Sequence, residues 1–173
     1  ELLHDRSREE IAEELLLYVF EVILKLSDYP YIQFDLINFG NIMLDVLNNF
    51  QNEINHRLNT ELVEESLTFW RRIGLEWEAW VRSWNHIVMV QDGIEPSLVS
   101  VSRWTWNRKL SNIGRRQLSL EGLPGRIFFK NVLFSPTMWT GNCGNGHWTF
   151  PGVRDAIDQG DWDMAQKQMD LVA

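Results

Sequence analysis

Cysteine is nearly absent from this 173-residue chain, in which Cys143 stands alone. One thiol cannot close an internal disulfide, and it cannot supply the cysteine set of a structural zinc cluster. The fold must therefore rest on a hydrophobic core, and 173 residues with 45% hydrophobic composition are enough to bury one. We expect a single domain over residues 1–173, while the role of Cys143 and the compartment stay open.

Positive charge is also scarce, because 16 Lys and Arg stand against 24 Asp and Glu, for a net charge of -8. A nucleic-acid backbone is held by clustered basic side chains, so nucleic-acid binding is not expected.

Long apolar runs are missing as well. The run from Leu15 to Leu26 is interrupted by Glu21 and Lys25 and is shorter than the roughly 20 residues of a membrane span, so direct membrane insertion is not expected.

The residue patterns of common active sites are missing too. His4, His56, His86 and His147 lie far apart, and none belongs to the His-Glu-x-x-His pattern of zinc peptidases. There is no Gly-x-Ser-x-Gly nucleophile elbow, and "GNCGNGHW" lacks the Lys and Ser or Thr of a phosphate-binding loop. Cys143 and His147 would need an orienting acid, which the sequence does not identify. We therefore predict no catalytic residue, no metal ligand and no cofactor in this chain.

Helical periodicity is present over most of the chain. Four stretches predict helices, the first from about Ser7 to before Pro30 and the others over about 33–58, 61–90 and 97–118. Asp161 is the predicted N-cap of a last helix. Gly40 lies inside the second helix, where glycine costs up to about 1 kcal/mol relative to alanine, so we expect another backbone to pass close to it. Short connections between long helices favour an all-α four-helix bundle.

The third predicted helix carries a seam of large aromatic rings, which we call the tryptophan seam. Trp70, Trp77 and Trp84 are spaced seven residues apart, and Trp80 lies at an offset position of the same pattern. Aromatic stripes at helical spacing usually pack inside a bundle, but tryptophan is also enriched at subunit interfaces. Both interpretations stay open, and the seam and the fourth helix are our candidate surfaces for a homodimer.

Glycine and proline are concentrated between Gly122 and Asp158, which hold six of the eleven glycines and three of the five prolines. This stretch forms a long loop rich in glycine, proline and aromatic residues before the last helix. A long ordered loop in a small domain is usually functional, so it is either a pocket-lining segment or a structural crossover between helices.

The loop sequence resembles one known family. "GLPGRIFFKNVLFSP", then a glycine-rich stretch, then "FPGVRDAID" is similar to the C-terminal helical domain shared by glutamate carboxypeptidase II, the transferrin receptor and fungal vacuolar-sorting relatives. The likeness is specific over residues 122–158, and elsewhere it lies in the order and length of the helices. Its motif includes Gly122, Leu123, Pro124, Pro136, Phe150, Pro151 and Gly152.

This resemblance implies a transferrin receptor-like dimerisation domain that pairs with its own copy and adjoins an upstream zinc-peptidase-like domain. The chain would then be a C-terminal fragment of a larger protein, and zinc would belong to the absent peptidase domain, whose ligands have no counterpart here. Parents in this family are usually type II membrane proteins with a lumenal or extracellular ectodomain. The chain contains no Asn-x-Ser/Thr sequon that would indicate such a setting.

The same resemblance points to one substrate-contacting segment. In the carboxypeptidase branch, a Lys-Tyr pair shortly before Phe-Pro-Gly holds the glutamate side chain of the substrate. The corresponding place lies near Gly144 and Asn145, where no Lys-Tyr pair is present, so glutamate specificity is not implied. The loop can still line a pocket, and the candidate residues for that role are Trp139, Asn142, Asn145, His147 and Trp148.

Three functional hypotheses follow from these observations. The leading one is a non-catalytic homodimerisation domain of a glutamate carboxypeptidase-like protein. In the second, the parent is an active zinc-dependent exopeptidase, of the carboxypeptidase or aminopeptidase type, and this loop forms part of its substrate pocket. The third is a helical bundle whose tryptophans stack on a small aromatic or sugar ligand.

Overall fold

The computed structural model describes residues 8–136 and 148–173 of the chain. These residues form seven α-helices, and the all-α bundle class predicted from the sequence is confirmed. The helices are α1 (Arg8–Asp28), α2 (Leu36–Glu53), α3 (Glu61–Val90), α4 (Ser97–Ser111), α5 (Ile113–Arg116), α6 (Pro151–Asp158) and α7 (Trp162–Val172).

The observed helix boundaries differ from the predicted ones in two places. The second helix is shorter than predicted, and it starts where the Asp35 carboxylate accepts a hydrogen bond from the Asn38 backbone N–H at 2.8 Å. The fourth predicted helix is divided at Asn112 into α4 and the short α5. Asp161 caps α7 as predicted, because its carboxylate accepts from the Met164 N–H at 2.9 Å.

The described residues fall into two compact units. The first contains residues up to Phe34 together with Pro96–Ser111, and the second contains Asp35–Glu95 and Asn112–Ala173. Within the described ranges, every buried hydrophobic side chain except Leu110 belongs to the second unit.

The core of the second unit forms where α2, α3, α6 and α7 pack together. Phe50 of α2 and Phe150, the residue before α6, are both buried, and their ring centroids lie 5.5 Å apart in a tilted arrangement. Tilted aromatic pairs of this kind are favourable beyond the area that they bury. The core also includes Met43, Leu47, Ile54, Leu58, Val63, Leu67, Val153, Ala156, Ala165 and Met169.

Two glycines allow α2 and α3 to approach each other closely. A Cβ built on Gly40 would lie 2.7 Å from Arg71 Cγ and 3.4 Å from the Leu67 carbonyl oxygen. The predicted close approach at Gly40 is therefore confirmed, and α3 is the segment that makes it. A Cβ on Gly74 would lie 3.0 Å from the Ile37 backbone nitrogen, so α3 has its own glycine at this contact.

In the first unit, hydrogen bonds join the segment after α1 to α4. The Arg103 and Asn107 side chains donate to the Pro30 carbonyl at 3.1 and 2.9 Å, and Asn107 Oδ1 accepts from the Ile32 N–H at 2.9 Å. None of the 21 residues of α1 is buried. The apolar side chains of α1 are consequently exposed along the whole helix.

Candidate functional site in the crossover loop

The predicted loop carries the chain from α5 to α6, and its first half folds back on itself. The Ser119 N–H donates to the Lys130 carbonyl at 2.8 Å, and the Val132 N–H donates to the Gln117 carbonyl at 2.9 Å. These paired backbone hydrogen bonds give this part of the loop a defined path.

The two ends of the stretch that contains the candidate pocket residues lie side by side. The Ser135 N–H donates to the Trp148 carbonyl at 3.0 Å, and the Phe150 N–H donates to the Leu133 carbonyl at 3.0 Å. Ser135 and Phe150 are both buried. We call these four residues the loop base, because they fix where the intervening stretch leaves and rejoins the fold.

Phe150 holds the loop base in place with an unusual backbone conformation. It lies in the left-handed region, at φ 53° and ψ 50°, which costs an L-residue about 1–2 kcal/mol. Its buried ring and its hydrogen bond to the Leu133 carbonyl offset that cost. Pro151 follows as the first residue of α6, where the missing N–H has no helical partner to lose.

A buried ion pair connects α6 to the loop. Asp155 Oδ2 accepts hydrogen bonds from Arg126 Nε at 2.9 Å and from Arg126 Nη2 at 2.5 Å. The side chains of Arg126 and Asp155 are only 9% and 4% exposed. Arg126 Nη1 also donates to the Pro136 carbonyl. One guanidinium therefore ties α6 both to the first half of the loop and to the residue next to the loop base.

Burial sets the ionisation of this pair. Desolvation raises the pKa of the Asp155 carboxyl, and the hydrogen bond and positive charge of Arg126 lower it by less. The nearby Asp158 also raises the pKa of Asp155. The pKa of Asp155 is raised on balance with burial as the largest cause, so the ionised pair carries the desolvation cost that is typical of buried ion pairs.

Arg154 attaches α6 to the rest of the second unit. Its Nη1 donates to the two carboxylate oxygens of Glu53 at 2.9 and 3.0 Å, and its Nε donates to the Thr149 carbonyl at 3.0 Å. The guanidinium carbon lies 4.8 Å from the centre of the Phe50 ring, in a cation–π contact. The middle of α6 is therefore held on two sides, by the Arg126–Asp155 pair to the loop and by the Arg154–Glu53 pair to α2.

The glycines of the family motif stand where the fold leaves little room for a side chain. Gly122 has φ +82°, and a Cβ on it would lie 2.7 Å from the Ile127 Cα. A Cβ on Gly152 would lie 3.2 Å from Gln168 Cδ and 3.3 Å from Leu123 Cδ2. Among the seven motif residues, Pro136 is exposed, Gly122 and Pro124 are half-buried, and the buried ones are Leu123, Phe150, Pro151 and Gly152.

One of the five candidate pocket residues is described by the structure. The Trp148 side chain is exposed, and its backbone carbonyl is part of the loop base. Trp139, Asn142, Asn145 and His147 lie outside the described residues, as does Cys143. The pocket therefore stays a prediction, whereas the hydrogen-bond geometry of the loop base beside it is described by the structure.

The tryptophan seam contributes partly to the core of the second unit. Trp77 is 5% exposed, and its ring stacks on Trp80 with centroids 5.2 Å apart. Trp70 packs against Phe39 of α2 with centroids 5.7 Å apart. Trp84 donates from Nε1 to Glu95 Oε1 at 2.6 Å. Trp70, Trp80 and Trp84 are half-buried, so each ring keeps some accessible surface.

The fourth helix presents an apolar stripe to solvent. Leu98, Val101 and Trp104 of α4 are all exposed, and their spacing of three residues places neighbouring members on adjacent parts of the helix surface. The Arg108 guanidinium lies 5.4 Å from the centre of the Trp104 ring. Leu98 is 86% exposed. We call these three apolar residues the α4 stripe.

Sequence reasoning did not single out the arginines that anchor the loop. Arg126 and Asp155 are 29 positions apart, and no spacing rule connects them. Both lie inside the two stretches that carry the family resemblance, and this is the signal that could have identified them. Arg154 lies in the same stretch as Asp155.

Residues 8–136 and 148–173 contain no group of three His, Cys, Asp or Glu side chains that could hold a metal ion. No helix within the same two ranges has the length and apolar character that crossing a membrane requires.

Comparison with known proteins identifies the protein family to which this chain belongs. A model of the transferrin receptor-like dimerisation domain matches residues 58–173, and the chain belongs to this family. It is 44% identical over 177 positions to the Saccharomyces cerevisiae protein named "Putative zinc metalloprotease TRE2", an alignment that covers 99% of this chain and 22% of that protein. It is also 36% identical to "Uncharacterized protein TRE1" of the same yeast, over 96% of this chain and 22% of that protein.

A more distant relative carries a different description. The Schizosaccharomyces pombe protein named "Inactive zinc metalloprotease C354.09c" is 30% identical over 115 residues, which are 66% of this chain and 13% of that protein. The chain thus spans about a fifth of the length of the two Saccharomyces relatives that it matches.

Proposed function

We propose that this chain is a non-catalytic helical domain that pairs two copies of a longer, zinc-peptidase-like protein. The observation that carries the proposal is the α4 stripe, which lies inside the range matched by the dimerisation family. Zinc and the reacting groups belong, in this proposal, to a region outside the chain. One relative is named inactive, so a domain of this family can belong to a protein without hydrolytic activity.

The α4 stripe has the chemistry of a self-complementary surface. In a two-fold dimer one patch meets its own copy, so apolar side chains near the axis cover each other. Large rings such as Trp104 are enriched in the cores of such interfaces, and the neighbouring Arg108 supplies a polar rim. The half-buried rings of the tryptophan seam are a second candidate surface in this proposal.

Substituting Leu98 with aspartate tests this proposal directly. The side chain is almost fully exposed, so the fold should be preserved, while a charge in the interface should raise the dimer dissociation constant at least tenfold, about 1.4 kcal/mol or more. Light scattering on the 173-residue chain over a range of concentrations measures this constant.

Leu120→Asp is the matched control, because Leu120 is 92% exposed but lies in the loop rather than on α4. It should leave the dissociation constant unchanged. A chain that stays monomeric at all concentrations up to high micromolar would contradict pairing. If the Leu120 variant raised the dimer dissociation constant and the Leu98 variant did not, the interface would lie at the loop and not at the α4 stripe.

The anchored loop base supports a second role, a contribution to a substrate pocket in the longer protein. Trp148 is exposed next to this base, where a rigid framework can present it to a bound peptide. In a longer chain that hydrolyses peptides, Trp148→Ala should lower kcat/KM about tenfold through lost positioning. The circular dichroism spectrum should not change. Unchanged kcat/KM, or a longer chain without peptidase activity, would contradict this role.

A further inference from the structure

Helix α1 has a composition that its surroundings in this chain do not explain. It is 21 residues long and none of them is buried, although its second half is built largely from Leu, Val, Ile, Phe and Tyr. Leu16 and Tyr18 are 69% and 66% exposed. Large apolar side chains on an exposed helix normally mark a surface that another part of the protein or a partner covers.

The apolar side chains of α1 are not confined to one face. Successive residues of an α-helix are about 100° apart, so Leu16 and Tyr18 point to nearly opposite sides. Leu17, Phe20 and Ile23, which are also exposed, occupy further directions around the axis.

One narrow side of α1 is polar, because Glu14, Glu21 and Lys25 lie on one line of the helix surface, with Glu21 and Lys25 forming an exposed ion pair. The apolar side chains cover the rest of the circumference, which is typical of a helix largely surrounded by protein, whereas a surface helix has a single narrow apolar stripe.

This pattern discriminates between the candidate partners of α1. A second copy of α1 packed across a two-fold axis would cover one stripe and leave the opposite side in water. In addition, the dimerisation family model begins at residue 58 and does not include α1. The alignment with the yeast relative does include it, since that alignment covers 99% of this chain but only 22% of a much longer protein.

We infer that α1 is a core helix of the longer protein, enclosed over its wide apolar surface by the apolar interior of the peptidase-like region that this chain does not contain. The inference rests on the proposed function only in taking the chain as part of a longer one. The first turns of α1 are acidic, with Glu9, Glu10 and Glu13 exposed, so this end stays in solvent. The enclosed surface is formed by the apolar side chains between Leu15 and Leu26, while the Glu21–Lys25 ion pair stays on the narrow polar side.

Hydrogen–deuterium exchange tests the enclosure without any substitution. In the 173-residue chain, the backbone amides of Leu16–Ile23 should exchange quickly, because no residue of this helix is buried. In the longer chain, the same amides should exchange at least about 100-fold more slowly. Equally fast exchange in both chains would overturn the inference.

A pair of substitutions on opposite faces tests how far the enclosure extends around the helix. Leu16→Asp and Tyr18→Asp should each lower the thermal midpoint of the longer chain by about 5 °C or more, since each places a charge in an enclosed site. Glu13→Ala is the matched control and should have no effect. In the 173-residue chain neither aspartate variant should change the midpoint.

The outcomes separate this inference from the pairing proposal. If only one of the two aspartate variants affects the longer chain, α1 has a one-sided contact and the inference is wrong. If either variant instead weakens self-association of the 173-residue chain, the partner of α1 is a second copy. Failure of pairing would appear separately, as a monomeric wild-type chain whose α1 is still protected in the longer protein.

Discussion

Replacing Asp155 with alanine is expected to lower the free energy of unfolding of the chain by about 4 kcal/mol, because it leaves the Arg126 guanidinium buried without its counter-charge. The same change frees Arg126, which also donates to the Pro136 carbonyl, so the loop loses its attachment to α6. Equilibrium urea unfolding, followed by tryptophan fluorescence, measures the effect.

The chain offers a matched control and a rescue for this prediction. Arg82 and Glu78 form an exposed ion pair on α3, and Glu78→Ala should cost no more than about 0.5 kcal/mol because water screens the charges. The double variant Arg126→Met with Asp155→Leu should recover most of the stability, since it removes both buried charges together. A single Asp155→Ala variant as stable as the Glu78→Ala variant would contradict the structural role of the pair.

Replacing Gly122 with alanine is the second change from which we expect a large effect, a loss of about 3 kcal/mol. Two costs combine at this position. The residue has φ +82°, a conformation that disfavours any L-residue by about 1–2 kcal/mol. The new Cβ would also press against the Ile127 backbone, which cannot move aside as a flexible side chain could, and overpacking of this kind costs about 1–3 kcal/mol.

Gly160 separates these two costs. It has φ +76°, but no heavy atom lies within 4 Å of the Cβ that alanine would add. Gly160→Ala should therefore show the conformational cost alone, about 1 kcal/mol. Urea unfolding of both variants gives the contribution of the backbone contact as the difference. Equal losses at the two positions would show that the Ile127 contact carries no cost.

The helical framework could be predicted from the sequence because its signals are local. The limits of α3 follow from the spacing of its apolar residues. The start of α7 follows from Asp161, whose side chain accepts a hydrogen bond from a backbone N–H in the first turn of that helix. The division at Asn112 could not be predicted, because the helical pattern continues on both sides of it. The close approach at Gly40 could be predicted, because glycine destabilises a helix interior and is expected there mainly where another segment passes close. The segment that passes close to Gly40 is α3.

The anchors of the loop could not be predicted because they depend on the tertiary fold. Arg126 finds Asp155 only after the loop has folded back, and Arg154 finds Glu53 only when α6 lies beside α2. The family resemblance located the stretch that contains both arginines, but it gave no contact. The exposure of α1 could not be foreseen either, since apolar spacing predicts a helix without naming what covers it.

The closed geometry at Ser135 and Trp148 bears on how readily this domain can diversify. Since the two chain segments are hydrogen-bonded to each other at the loop base, residues can be added between Ser135 and Trp148 without separating Leu133 from Phe150. Doubling the length of a flexible insert costs only about 0.6 kcal/mol in closure entropy. Natural drift or deliberate grafting can therefore change the size and chemistry of this segment while the bundle below it stays intact.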